Sequence, residues 1–276
     1  PAPRQTGKTT CLLALRDHLN RGSTFFCVYA NLEVGQGARE DLEKGLSLVI
    51  REIAGRASSH GDTHAERIRI GMEAEASSVL SLTDFLYRWC PELSRPLVLL
   101  LDEIDSLMGD TLVTVLGHLR AGYDRRPGAF PQSVVLCGVR DVRDYRFRLD
   151  DGKAVIAGGS AFNVRAESLR LGDFLRGEVE ELLGQHTAET GQRFESDALA
   201  LIWDLTQGQP WLVNALAYEC CFRNLAGRAR DRSVTAAMVQ EAKESLIERR
   251  ETHLDQLADK LKRSEERRVG KECRSR

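Results

Sequence analysis

The residues best suited to chemistry stand at the start of the chain, where residues 2–10 read APRQTGKTT. This stretch fits the phosphate-binding loop G-x-x-x-x-G-K-[ST], with alanine in the first glycine position. Backbone N–H groups of such a loop, and the positive end of the helix that follows it, point at phosphate oxygens. A lysine ammonium suits the β and γ oxygens, and a threonine hydroxyl suits a magnesium ion that already holds phosphate. The sequence therefore predicts a nucleoside triphosphate site formed by Ala2, Pro3, Arg4, Gln5, Thr6, Gly7, Lys8, Thr9 and Thr10.

An acidic pair later in the chain supports this prediction. Residues 97–103 are an unbroken apolar run that ends in Asp102 and Glu103, which is typical of a buried parallel strand whose carboxyl end faces a ligand crevice. Asp102 is predicted to orient the water shell of the metal, and Glu103 to polarise the water that attacks the γ-phosphate. Alone, the pair would fit an ordinary helix cap; beside Lys8 and Thr9 it favours a metal and catalytic site.

Other polar residues end or follow predicted strands, namely Asn31, Glu33, Cys137, Arg140 and Asp141. Because ligands of parallel sheets bind at the carboxyl ends of the strands, these residues are site candidates. Arg140 is predicted to reach the γ-phosphate. A salt bridge from Arg140 to Asp141 or Asp144 in a solvated loop is an equally good interpretation.

Helix and strand patterns alternate as far as Gly172 and are wholly helical afterwards, which predicts an α/β nucleotide-binding domain over residues 1–172 and a helical domain over 173–262. In the first domain we predict strands at 24–32, 97–102 and 133–138, and helices at 8–19, 38–57, 81–90 and 110–119. In the second we predict helices at 175–189, 196–206, 210–225 and 235–249. The aromatic residues in these helices are predicted to pack in the cores, namely Phe85, Trp89, Trp203 and Trp211. For Trp203 and Trp211, stacking on a nucleotide base is the alternative.

Composition narrows the class of protein. The 276 residues are 42% hydrophobic and 29% charged, with a formal net charge of −2, which argues against a strongly basic protein that coats nucleic acid. Nucleic acid is otherwise neither indicated nor excluded. The seven cysteines are an odd number without zinc spacing and are predicted to be reduced thiols. No stretch approaches the roughly 20 apolar residues of a membrane span, so the cytoplasm is the expected location.

The chain resembles the additional-strand P-loop ATPases, specifically AAA-like and STAND-like bacterial and archaeal ATPases beginning PRQTGKT. The resemblance covers roughly residues 1–262 and depends on APRQTGKTT, LVLLLDEID, SVVLCGVRD, LRLGDF at 169–174 and GQPWLVN at 208–214. It implies an α/β fold in which a P-loop NTPase parallel sheet is flanked by helices and followed by an all-helical lid. It also implies ATP, Mg²⁺ and conformational switching, but no particular client.

The resemblance also suggests roles for single residues. Asn31 is similar to the strand-end residue that holds the catalytic glutamate away until a partner binds, and Gln209 and Pro210 match a G-x-P motif where the lid helix begins near the base and ribose. From the residues alone, the second motif indicates only a helix stop, a turn and a helix that starts with proline. A basic set between sheet and lid, most of it expected at the surface, could supply an arginine finger from Arg143, Arg146, Arg148, Arg165 or Arg170.

The two ends of the chain carry further expectations. We expect the strand that leads into the phosphate-binding loop to be missing, and residues 263–276 to be a non-native or disordered tail. The predicted function is an ATP-binding, ATP-hydrolysing switch domain of a larger protein, with a client protein or self-association through the lid. Alternatives are a nucleotide-dependent interaction scaffold with little turnover and a P-loop kinase, for which we find no acceptor-binding motif.

Overall fold

The computed structural model describes residues 6–75, 80–107, 109–139, 169 and 171–249. The chain divides into two compact units, Pro1–Gly172 and Asp173–Arg276. Several residues singled out above lie outside the described residues, namely Ala2, Pro3, Arg4, Gln5, Arg140, Asp141, Arg143, Asp144, Arg146, Arg148, Arg165, Arg170 and the predicted tail at 263–276.

The described part of the first unit is a three-stranded parallel sheet with helices. Its elements in chain order are α1 (Lys8–Arg21), β1 (Phe26–Asn31), α2 (Leu42–Ser58), α3 (His64–Glu75), α4 (Leu82–Trp89), β2 (Leu97–Asp102), α5 (Gly109–Ala121) and β3 (Ser133–Leu136). Short 3₁₀ turns lie at Leu32–Ala38, Cys90–Glu92, Ile104–Ser106 and Tyr123–Arg125. The strand order is β1-β2-β3, so β2 pairs on both sides. All six β2 residues are buried, as expected for a central parallel strand.

Alternation along the strands divides the core into two clusters, one on each face of the sheet. The smaller cluster packs Leu12 of α1 against Cys27, Tyr29, Val98 and Leu100. The larger cluster contains the other strand residues together with apolar side chains of α2, α4 and α5. Tyr29 and Asn31 are two residues apart on β1, so the strand presents both to the face that α1 covers.

Two features of the first unit differ from the sequence predictions. The helix predicted at 38–57 begins at Leu42, because the Asp41 side chain accepts a hydrogen bond from the Lys44 N–H at 3.0 Å and caps the helix there. Helix α3 was not predicted at all. Its start is fixed by Asp62, whose carboxylate accepts hydrogen bonds from the backbone N–H of Ala65 and from Nε1 of Trp89, at 3.0 and 2.8 Å.

Two predictions about side chains are confirmed, one about an aromatic pair in the first unit and one about the cysteines of both units. Phe85 and Trp89 are fully buried and lie 5.5 Å apart between ring centroids. The six cysteines within the described residues are all free thiols.

The second unit is helical over its described residues, apart from one isolated bridge between Phe194 and Val234. Its elements are α6 (Arg176–Thr190), α7 (Ser196–Thr206), α8 (Pro210–Tyr218), a π turn (Glu219–Arg223) and α9 (Ala236–Glu248). The helix predicted at 210–225 therefore ends as an α-helix at Tyr218 and continues as a single π turn. No helix among the described residues of the chain combines the length and apolar character needed to cross a membrane.

Candidate functional site

Helix α1 begins at the described end of the phosphate-binding loop. Gly7 precedes it in the left-handed region, with φ 78°, and its carbonyl accepts the first helical hydrogen bond from the Cys11 N–H at 2.9 Å. Among the described residues, no atom lies within 4 Å of a Cβ placed at Gly7, and its positive φ is what favours glycine there. Lys8 and Thr9 thus occupy the first turn of the helix, where the helix dipole favours an anion.

The Thr9 hydroxyl donates a hydrogen bond to Oδ2 of Asp102 at 2.6 Å. These residues are 93 positions apart in sequence, and the sheet brings them together because Asp102 is the last residue of the central strand. Asp102 is fully buried, whereas Thr9 is exposed. The predicted pairing of the loop with the acidic strand end is therefore present in the fold.

Asp102 accepts two further hydrogen bonds. The Tyr29 hydroxyl donates to the same Oδ2 at 3.0 Å, and the Glu103 N–H donates to Oδ1 at 3.0 Å. Cys137, the residue directly after β3, also lies beside this carboxylate. Burial and the negative charge of Asp102 raise the pKa of its thiol to about 12. Donors on α1, β1 and the turn after β2 thus hold the carboxylate in one orientation.

Tyr29 is a site residue that the sequence analysis missed. Its hydroxyl is the only polar atom of a side chain that otherwise packs in the small core cluster. Strand alternation puts Tyr29 on the same face as Asn31, but the local sequence does not indicate that its hydroxyl contacts the Asp102 carboxylate. Burial and the Asp102 carboxylate raise the pKa of the Tyr29 hydroxyl, so it remains a hydrogen-bond donor at neutral pH.

Glu103 stands in a strained position at the start of the 3₁₀ turn. Its backbone has φ 53° and ψ 41°, a left-handed conformation that non-glycine residues rarely adopt. Burial raises the pKa of its carboxyl, and the charge of Asp102 raises it further. The Lys8 ammonium opposes this by favouring the ionised form. A carboxylate with a raised pKa is a stronger base, which suits proton abstraction.

The two residues that follow Ile104 connect the three strand ends. Ser106 Oγ is placed to donate to the carbonyls of Glu103 and Leu32, at 2.7 and 2.8 Å, which joins the turn to the end of β1. The Asp105 carboxylate accepts from the Val139 N–H at 2.9 Å, which joins it to the segment after β3. A Cβ at Gly138 would lie 2.3 Å from Asp105 Oδ1, so this contact requires glycine.

Asn31 lies directly opposite Asp102 in the register of β1 and β2. Its side-chain oxygen accepts from the Glu33 N–H at 2.9 Å and caps the 3₁₀ turn at Leu32–Ala38, while its own N–H donates to Oε1 of Glu52 at 3.2 Å. The residue is therefore at the predicted level of the sheet. Its predicted action on Glu103 stays a prediction.

In the second unit, the predicted G-x-P motif forms the start of α8. Gln209 Oε1 accepts from the Leu212 N–H at 2.6 Å, and Pro210 is the first helical residue and is buried. Gly208 has φ 77°, and a Cβ there would lie 2.0 Å from the Phe174 carbonyl oxygen. These contacts explain all three residues structurally, as a turn and a capped helix start; their predicted role at the base and ribose stays a prediction.

The donor set at Asp102 suits a magnesium ion that is held mainly by a phosphate ligand. Within the described residues no group of three or more His, Cys, Asp or Glu side chains could hold a metal by itself. Mg²⁺ prefers oxygen ligands and usually takes one or two from the protein, the rest coming from water and phosphates. The Thr9 hydroxyl and the Asp102 carboxylate are two such oxygens, already adjacent.

Comparisons with known proteins identify the fold. No protein-family model matches the sequence, and no curated protein matches it. Among solved structures, the chain is similar to Cdc6p from Pyrobaculum aerophilum, at 17% identity and a TM-score of 0.57 over 88% of this chain. It is also similar to a Walker-type ATPase of Pyrococcus abyssi, at 17% identity and a TM-score of 0.56 over 95% of this chain and 70% of that chain. The chain spans 59% of the length of the Cdc6p chain. At this level of identity the similarity shows the fold alone, an α/β fold of the P-loop ATPase type.

Proposed function

We propose that this chain is an ATP-binding and ATP-hydrolysing domain that acts as a switch within a larger protein. The observation that carries the proposal is the 2.6 Å hydrogen bond between Thr9 of the phosphate-binding loop and Asp102 at the end of the central strand. Each of the two sequence motifs is weak evidence for a nucleotide site alone, and this hydrogen bond joins them. The fold shared with a Walker-type ATPase supports the same function.

Thr9 and Asp102 would hold a magnesium ion, and Lys8 would contact the β and γ oxygens of ATP. When bound, the metal supplies positive charge that stabilises the phosphoryl group in transfer. Lys8 is buried, so its ammonium is positioned with little freedom to lose on binding. The loop N–H groups of residues 2–7 and the positive end of α1 would add fixed partial charges around the phosphates.

Glu103 is proposed as the general base. Its carboxylate would accept the proton of the attacking water as that water approaches the γ-phosphate in line. Three features fix the backbone of Glu103. Its N–H donates a hydrogen bond to Asp102, its φ and ψ are left-handed, and its carbonyl accepts a hydrogen bond from the Ser106 hydroxyl. The raised pKa of its carboxyl increases its basicity.

The finer assignments belong to the same proposal. Asn31 would restrain Glu103, Arg140 would contact the γ-phosphate, and Gln209 with Pro210 would approach the base and ribose from a helical lid. The motifs quoted in the sequence analysis are the support for the proposed AAA-like and STAND-like character. A protein client or self-association through the lid, and a cytoplasmic location, complete the proposal. The position of Asn31 opposite Asp102 supports its proposed action on Glu103.

ATP turnover by the chain, with and without Mg²⁺, tests the proposal. We expect phosphate release that requires Mg²⁺ and that is abolished, together with ATP binding, by Lys8→Ala. Lys44→Ala, which removes an exposed lysine from α2, is the matched control and should leave both unchanged. Mg²⁺-dependent binding without phosphate release would instead identify an interaction scaffold. Equal ATP affinity for Lys8→Ala and the wild type would refute the site.

A further inference from the structure

The second unit carries an arginine-rich segment that begins at Arg223, the last residue of the π turn after α8. Residues 223–232 contain four arginines and no lysine, and Asp231 is the only acidic residue among them. The arginines are Arg223, Arg228, Arg230 and Arg232. Together with the aromatic side chains of Tyr218 and Phe222, these four residues form what we call the arginine-aromatic surface.

Hydrogen bonds from the buried Gln192 side chain hold the loop that carries these arginines in one conformation. The buried Gln192 side chain donates from Nε2 to the carbonyls of Gly227 and Arg232, at 2.9 and 3.0 Å, and its Oε1 accepts from Nη1 of Arg230 at 2.7 Å. A Cβ at Gly227 would lie 1.7 Å from the Cys220 carbonyl oxygen, so the close approach of the loop to the π turn depends on glycine. The surface is therefore preorganised, which lowers the entropy cost of binding a ligand.

Two aromatic rings stand at the centre of the surface. Tyr218 and Phe222 stack with centroids 5.3 Å apart and an interplanar angle of 22°, and the π turn between them produces this spacing. Their exposed fractions are 54% and 44%. The Arg230 guanidinium lies 4.7 Å from the Phe222 centroid, and the Arg223 guanidinium lies 5.9 Å from that of Tyr218. Flat apolar surface and positive charge thus alternate over a short distance.

The positive charge of this surface is not neutralised by its neighbours. Within the part of the chain that the structure describes, Arg223, Arg228 and Arg232 form no ion pair with a carboxylate, and all three are exposed. The nearby Glu219 carboxylate already accepts from Arg249 and from Ser245. Glu241 accepts from Asn224. Asp231 adds one exposed negative charge to the surface.

We propose that the arginine-aromatic surface binds single-stranded nucleic acid. Guanidinium groups pair with phosphate oxygens, and exposed aromatic rings stack on unpaired bases, so the alternation of the two matches a single strand. A duplex would offer phosphates but hide its base faces, and an acidic peptide would offer carboxylates without flat rings. The absence of lysine from residues 223–232 also fits a nucleic-acid ligand, because a guanidinium can contact a phosphate and stack on a ring at the same time.

Fluorescence anisotropy with a labelled 20-nucleotide oligothymidine tests this proposal. Binding is measured without nucleotide triphosphate, so the result is independent of the proposed ATPase. Tyr218→Ala should weaken binding by about 5- to 150-fold, the range for loss of one stacked base. The matched control is Tyr123→Ala, because Tyr123 in the first unit is also exposed and lies beside an arginine, Arg126, at 4.7 Å. Its affinity should equal that of the wild type.

A second variant separates charge from stacking. Arg223→Gln combined with Arg232→Gln removes two exposed charges that make no side-chain hydrogen bond within the described residues, so the fold should be kept. The slope of log affinity against log salt should fall by about 1.4. Thermal melts establish that each variant is folded.

Three competitors distinguish a single strand from a duplex, from phosphate alone and from an acidic peptide. They are the duplex of the same length, inorganic polyphosphate and poly-glutamate. Weaker binding of all three than of the single strand supports the proposal. The proposal is overturned if the wild type does not bind the oligothymidine, if Tyr218→Ala binds it as well as the wild type, or if any competitor binds equally well.

Discussion

The Tyr29 hydroxyl and the Asp102 carboxylate are 3.0 Å apart in the interior beneath α1, on adjacent strands of the parallel sheet. This contact gives a buried carboxylate a donor that remains protonated at neutral pH. The same contact orients Oδ2 of Asp102, which also accepts the hydrogen bond from the Thr9 hydroxyl on α1.

Tyr29→Phe removes this donor and leaves the ring in place. We expect the free energy of unfolding to fall by about 1.5–3 kcal/mol, the range for a hydrogen bond to a charged group. Urea denaturation followed by circular dichroism measures it. Tyr87→Phe is the control, since its exposed hydroxyl makes only a 3.4 Å contact with the Ala121 carbonyl, and it should change stability by less than about 0.5 kcal/mol. Equal losses in the two variants would show that Tyr29 does not support Asp102.

Thr9→Ala should weaken binding of ATP much more in the presence of Mg²⁺ than in its absence, because the hydroxyl acts through the metal. Isothermal titration calorimetry with and without EDTA measures both affinities. Thr9→Ser keeps the hydroxyl and should restore the Mg²⁺ effect. If the affinity falls equally with and without the metal, Thr9 contributes only to the shape of the loop.

Glu103→Gln should keep ATP affinity and reduce hydrolysis by roughly 10²-fold or more, which is the scale of a lost general base. Because Gln is isosteric and the contact to Asp102 uses the backbone N–H, the position of the turn should be unchanged. Single-turnover phosphate release is the measurement. Unchanged turnover would remove the catalytic role from Glu103.

The raised pKa of Glu103 predicts a pH dependence. A base must be ionised, so kcat/KM, which reports the enzyme before it binds metal and nucleotide, should fall as the pH decreases through this raised pKa, and the acidic limb of that profile should lie above the ordinary glutamate pKa of about 4.3. The charge of the exposed Glu33 contributes to the raised pKa. Glu33→Gln should therefore move the limb to lower pH without abolishing activity. If the acidic limb of Glu33→Gln lies at the same pH as that of the wild type, the charge of Glu33 does not act on Glu103.

Gly208→Ala should destabilise the second unit by more than about 2 kcal/mol, because alanine disfavours the positive φ and its Cβ would overlap the Phe174 carbonyl. Gly184→Ala is the matched control: it lies within α6, where a Cβ meets no atom within 4 Å. That substitution should stabilise by roughly 0.5–1 kcal/mol. Chemical denaturation of both variants measures the difference, and similar stabilities would contradict the close approach at Gly208.

The sequence predicted those parts of the site that depend on local pattern. The unbroken apolar run ending at Asp102 is typical of a buried parallel strand, and the motif before α1 placed Lys8 and Thr9 at the start of that helix. Tyr29 was missed because its role depends on a partner 73 positions away, and no local pattern distinguishes a hydroxyl that contacts a carboxylate from an ordinary core tyrosine. Helix α3 was missed for a similar reason: the cap that begins it is also fixed by a tertiary contact, between Asp62 and Trp89.

The contacts of Asp105 and Ser106 have a mechanical consequence. The residues next to Glu103 are tied on one side to the end of β1 and on the other to Val139 after β3. Because these hydrogen bonds are short and the turn has only three residues, a shift of Val139 would act on Asp105, which is two residues from Glu103. The ends of the three strands are therefore linked through this turn, and a partner that displaces Val139 would change the position of the proposed base.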